Sequence, residues 1–117
     1  MQHPSETEET LVRNYVLFPL VLTVLVRDKK VLGESSLKTK EPYLTLLEEA
    51  IKKVDLDIVH NKKSLRIHGV KVFEQKRTDL GISIKFLYKG YHHVFNPSWD
   101  VLRTEVKKTM LYYLRKS

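Results

Sequence analysis

Cysteine is absent from all 117 residues. That absence excludes disulfide staples, thiolate zinc sites, iron–sulfur ligation and thiol nucleophiles together. Glycine is scarce, at four residues, and none lies in a phosphate-cradling loop pattern. No Gly-x-Ser-x-Gly elbow, no His-Glu-x-x-His pair and no supported Ser-x-x-Lys motif occurs. Long apolar runs are missing too. The longest, Tyr15 to Val26, has twelve residues, is interrupted by Pro19 and Thr23, and closes on Arg27, Asp28, Lys29 and Lys30. A spanning helix needs about twenty apolar residues, so the stretch reads as a buried strand. A secretory leader begins with positive charge, whereas Met1 to Thr10 carries Glu6, Glu8 and Glu9 with no Lys or Arg. The expectation is a cytoplasmic chain with no membrane partner.

What remains is an ordinary globular composition, 42% hydrophobic and 30% charged. A chain of this length makes one domain and buries roughly two-thirds of its unfolded surface. The formal charge is +7, and it is unevenly spread. Residues 11–50 carry six bases against five acids, while residues 51–117 carry fifteen against six. A positive half of this kind either solubilises the protein or attracts a polyanion such as nucleic acid.

Residues 1–10 read as a polar tail or short helical lead-in, with Ser5 and Glu8 at capping-box spacing. Residues 11–117 form the domain. Pro19 cannot donate to a ladder, so the first strand is placed from Leu20 to Val26, returning as Val31 to Leu37. Glu41 to Val54 has Pro42 in its first turn and Leu44, Leu47, Ile51 and Val54 at helical spacing. Leu56 to His60 reads as a strand, Asn61 to Lys63 as a turn, and Leu65 to Phe73 as a strand with a bulge at Gly69. Ile82, Ile84, Phe86 and Tyr88 alternate with Ser83, Lys85, Leu87 and Lys89, the cleanest period-two signal in the chain. A two-residue turn at Lys89-Gly90 would set Tyr88 against Tyr91, Phe86 against His93 and Ile84 against Phe95. Asn96 and Pro97 then open a helix to Leu114 whose inward stripe is Trp99, Leu102, Val106, Met110 and Tyr113. The expected fold class is α+β: one mostly antiparallel sheet of about five strands, with two helices (about 41–54 and 97–114) on one face.

The residues that carry chemistry are few. His92 and His93 are adjacent on a strand and point to opposite faces, so they do not share an ion, and no metal site or cofactor is expected. Asp55, Asp57, Asp79, Asp100 and Glu105 sit beside lysines, at turns or at helix starts, where carboxylates play solvated structural roles. The aromatics Phe86, Tyr88, Tyr91, Phe95 and Trp99, interleaved with Lys85 and Lys89, resemble a base-stacking platform, yet they alternate as a core face should. No catalytic constellation is legible, and the chain is read as a non-enzyme.

Two surfaces stand out. The terminal helix carries Arg103, Lys107, Lys108 and Arg115 away from its apolar stripe, and Lys62, Lys63 and Arg66 would extend such a patch if the fold brought them near. Together they form the candidate nucleic-acid-binding set. Val21, Leu22, Val24, Leu25 and Val26 are more apolar than a strand buried on one face needs, which marks them as a candidate interface, homodimeric or with another protein. The sequence therefore points first to a small regulatory or adaptor domain that binds an unidentified protein partner, and second to a nucleic-acid-binding module.

Overall fold

The first regular element starts at the Ser5–Glu8 pair. In the computed structural model, which describes residues 3–115, the Ser5 backbone N–H and hydroxyl both donate to Glu8 Oε1, at 3.1 and 2.8 Å. From there helix α1 runs unbroken over Glu6–Gly33. Of the polar lead-in expected over residues 1–10, Glu6 to Thr10 open the helix and residues 1–2 lie outside the described residues, while the strands expected over Leu20–Val26 and Val31–Leu37 are helix and the loop after it. Pro19 lies inside α1 on its exposed side, where a missing N–H faces water and Thr23 Oγ1 donates to the Pro19 carbonyl at 2.9 Å.

Energetics explain why β-rich residues fold as helix here. A β-branched residue costs a helix a few tenths to about 0.7 kcal/mol relative to Ala. Fully burying such a side chain returns about 1.5–3 kcal/mol. Val12, Val16, Leu17, Val21 and Leu25 are all essentially buried in α1, so packing overrides local preference. By length and composition α1 is also apolar enough to cross a membrane, although the uninterrupted apolar stretch is not. Core helices have the same composition, and these side chains pack against other elements of the protein.

Helix α2, Glu41–Ile67, begins at the expected residue but continues through the segments assigned to a strand and a turn. Its buried positions are Ala50, Val54, Asn61 and Leu65. Asn61 interrupts the apolar stripe in sequence while occupying a core position in space. Its amide donates to the Leu11 carbonyl of α1 at 2.9 Å, which satisfies it. Gly69, at φ +73°, ends the helix, and its N–H donates to the Arg66 carbonyl. Gly69 is therefore a helix stop. The irregularity in the following strand falls at Phe73, between the paired residues Val72 and Glu74.

Three strands follow, not five: β1 (Val70–Arg77), β2 (Ile82–Tyr88) and β3 (Tyr91–Phe95), antiparallel in that order. Lys89 and Gly90 both have positive φ, +50° and +83°, as a type I′ turn requires. The resulting register pairs Tyr88 with Tyr91, Phe86 with His93 and Ile84 with Phe95, as the alternation implies. Helix α3, Trp99–Arg115, starts two residues later than expected. Ser98 caps it, its hydroxyl accepting the Val101 N–H at 3.2 Å, in place of Asn96. Among the described residues the fold is α+β in one domain, with three helices and a three-stranded sheet.

Two core clusters divide the molecule. At the sheet end, Val70, Ile82, Ile84, Phe86 and Tyr88 pack against Val12 and Val16 of α1, Leu65 of α2 and Leu102 of α3. At the helical end, Leu17, Val21 and Leu25 pack with Ala50, Val54 and Tyr113. Helix α1 is about 42 Å long at 1.5 Å per residue, and the short sheet covers only its first half.

Candidate binding groove between α1 and α3

Where the sheet ends, α1 and α3 leave a groove of about 490 Å³. Leu20 and Val24 of α1 and Trp99, Val106 and Met110 of α3 form its half-buried floor. Leu20, Val24 and Arg27 recur at i, i+4 and i+7, and so line one face of α1. Across from them, Trp99, Arg103, Val106, Lys107 and Met110 present one face of α3. Trp99 is fixed from two sides: its indole N–H donates to the Thr78 carbonyl at 2.8 Å, and its backbone N–H donates to the Leu80 carbonyl. Thr78 is itself locked in the β1–β2 turn, its hydroxyl accepting from Leu80 and Gly81 N–H groups at 3.2 Å.

Four cations line this floor: Arg27, Arg77, Arg103 and Lys107. The Arg77 guanidinium lies 5.7 Å from the centre of the Trp99 ring, a cation–π distance. Arg103 pairs with Asp100 one turn earlier on the exposed side of α3. Arg27 reaches Asp28 only at 3.9 Å, and Lys107 has no ion pair among the described residues. Exposed pairs of this kind contribute about 0–1 kcal/mol and exchange readily for another carboxylate. The groove is thus apolar at its base and positive around it.

The sequence-derived sets are only partly reunited. Arg103 and Lys107 stand one turn apart in the groove. Lys108 lies on another side of α3, beside Asn14, Phe18 and Asp57, within 3.9 Å of Glu105. Arg115 is exposed in the last turn, where a cation complements the helix dipole. Lys62, Lys63 and Arg66 are on the last turns of α2, not on a hairpin, and none lines the groove. Lys62 borders a separate hollow with Tyr15, Pro19 and Gln75. Arg27 and Arg77 are the residues that sequence reasoning missed. They lie 50 positions apart, and only the crossing of α1, β1 and α3 brings them together. Of the apolar set, Val21 and Leu25 are fully buried and Leu22 packs against the same cluster. Val24 is in the groove, and Val26 is half exposed.

Other ionisable groups serve the fold. Glu8 is nearly buried, and its carboxylate also meets His68 Nδ1 at 3.0 Å, linking the start of α1 to the end of α2. The Ser5 hydroxyl and backbone N–H hold the Glu8 pKa down at about 2, with Tyr88 and His68 adding to the effect and burial opposing it. Burial, and then the hydrogen bond to Asp57, push the Tyr113 phenol well above its ordinary range. A second hollow, about 360 Å³, holds His3, Glu9, Arg13 and His93. His93 there stacks on Phe86 with ring centres 5.4 Å apart. No group of three or more potential metal-ligating side chains converges among the described residues.

A family profile described as YhjD protein matches residues 3–117. This chain belongs to the YhjD family. A YhjD relative from Bacillus subtilis (strain 168), bearing the name "Uncharacterized protein YhjD", is 31% identical over 116 residues, covering 95% of this chain and 94% of the relative. No solved structure matches. All the groove residues fall inside the segment that the YhjD profile covers.

Proposed function

We propose that this chain is a small cytoplasmic, non-enzymatic adaptor or regulatory domain that binds another protein through the α1–α3 groove. The observation that carries this reading is the apolar floor of Leu20, Val24, Trp99, Val106 and Met110, half-buried and left open by the fold. Open apolar surface bounded by polar groups is what a protein-binding site presents before its partner arrives. The only hydroxyl among the groove-lining side chains, Thr23, is engaged with the Pro19 carbonyl. Among the described residues, no carboxylate or imidazole lines the groove to serve as a base. Val12, Val16, Leu17, Val21 and Leu25 of α1 are buried in the core, whereas Leu20 and Val24 of the same helix are left to the groove.

Site-specific photo-crosslinking in cells tests this. A photoreactive residue at Val24 or Met110 should trap a defined protein adduct, and one at Val94 on the open sheet face should not. Equal adducts from both positions, or none from the groove, would sink the reading.

A second reading has its own observation. Arg103 and Lys107 of the candidate nucleic-acid set are joined in space by Arg27 and Arg77. A nucleic-acid module would lose affinity with salt at a log–log slope of about −3 or steeper if some three or four phosphates are neutralised. Anisotropy of labelled DNA and RNA at several salt concentrations measures that slope directly.

A further inference from the structure

From the charge and the shape of the groove we infer that its occupant is an acidic, amphipathic helical segment of a partner protein. This rests on the protein-binding reading above and specifies what the partner presents. The floor is mainly aliphatic, and its single aromatic, Trp99, already has the Arg77 guanidinium over its ring. Nucleic-acid bases would find charge there but no free stacking platform. Leu, Ile or Phe side chains find an apolar seat.

Charge sets the sign of the partner. Four cations surround the floor, and the acids paired with two of them, Asp28 with Arg27 and Asp100 with Arg103, belong to exposed pairs that an incoming carboxylate can displace. A second copy of this chain is the wrong occupant, because it would bring a net charge of +7 and the same positive groove. Shape sets the form. Two helices wall the groove, along eight residues of α1 from Leu20 to Arg27 and twelve of α3 from Trp99 to Met110. At a rise of 1.5 Å between successive residues that is roughly 10–16 Å, or two to three turns of a third helix. Such a helix would place apolar anchors at i, i+3 or i+4, and i+7 on the floor, with Asp or Glu on its flanks toward Arg103, Lys107, Arg77 and Arg27.

Trp99 is the only tryptophan and lies in the site, so the intact protein reports its own binding by fluorescence. The probes are a Leu/Glu peptide with anchors at that spacing, a scramble of the same composition, a Leu/Lys version, and a mixed-sequence RNA of matched charge. The first peptide should bind saturably and gain helical circular dichroism. Arg103→Glu/Lys107→Glu should weaken it at least tenfold, as should raising salt from about 0.05 to about 0.5 M. Lys52→Glu on the exposed side of α2 should change affinity less than twofold. Val24→Ser, which removes apolar area and adds no charge, should weaken binding without altering the salt dependence of what remains.

Equal binding of the scramble overturns the helical occupant. Equal binding of the Leu/Lys peptide overturns its acidity and leaves the protein-binding reading standing. Binding of RNA alone, abolished by Arg103→Glu/Lys107→Glu, overturns both. Absence of binding by every probe overturns the acidic-helix inference, while the crosslinking outcome at Val24 decides the broader reading separately.

Discussion

One helix is treated in two ways along its length. In its first half, Val12 and Val16 are closed in by the sheet, and the nearby Glu8 carboxylate is satisfied by Ser5 and His68. Further on, past the end of the sheet, Leu20, Val24 and Arg27 face α3 across an open groove ringed by cations. The residue types hardly differ, since Val12 and Val24 are the same side chain. Coverage differs, and coverage depends on how far a three-stranded sheet reaches. Past the end of the short sheet the groove is left open.

The largest expected effects contrast buried and open positions directly. Ile84→Ala at the sheet end and Leu25→Ala at the helical end each remove a fully buried side chain. Each should cost about 2–5 kcal/mol of unfolding free energy. Val24→Ala in the groove should cost under about 1 kcal/mol, because its environment is already partly water. Urea denaturation of the three variants measures this, and equal losses would show that the groove is part of the core.

Next comes the joint between the two regions. A Cβ on Gly81 would lie 2.0 Å from the Pro97 carbonyl oxygen. Gly81→Ala must therefore shift backbone, at about 1–3 kcal/mol. Because this turn also holds Trp99, the variant should shift tryptophan emission to the red, a readout that a purely local defect would leave unchanged. Gly90→Ala, with φ at +83° in the open β2–β3 turn, should cost about 1–2 kcal/mol and leave that emission unaltered.

A pH slope completes the series. The Glu8 carboxyl has its pKa lowered in the folded state, first by the Ser5 hydroxyl and then by the Ser5 N–H. Its contribution is complete above the ordinary carboxylate pKa of 4.5 and is lost as pH falls toward about 2. Urea midpoints measured from neutral pH down to pH about 2 should fall less steeply in Glu8→Gln than in the wild type. Matching slopes would remove Glu8 from the link between α1 and α2.

Legibility followed the range of the interactions. The β2–β3 hairpin was readable to the residue, because period-two alternation and a Lys-Gly turn are local and agree. The stripe of α3 was readable for the same reason. Helix α1 was not: Val, Leu and Phe fill several of its faces, which erases the 3.6-residue period that a helix packed on one side displays. The capping pair at Ser5 and Glu8 was the available signal for it. Helix α2 was cut short because Asn61 sits on its buried stripe, and its partner, the Leu11 carbonyl, is 50 residues away. Half of the groove's cations, Arg103 and Lys107, were visible as a helical repeat, whereas Arg27 and Arg77 have no sequence relation to them.

By itself, then, the sequence determined the α+β class, the single domain, the terminal helix and its inward stripe, and the positive second half. Each rests on composition or on contacts between near neighbours in the chain. Tertiary structure alone decided that the apolar stretch would be helix, that the sheet would stop at three strands, and that four distant cations would surround one apolar groove. Those outcomes depend on burial, which is a property of what covers a residue, and covering residues come from anywhere in the chain.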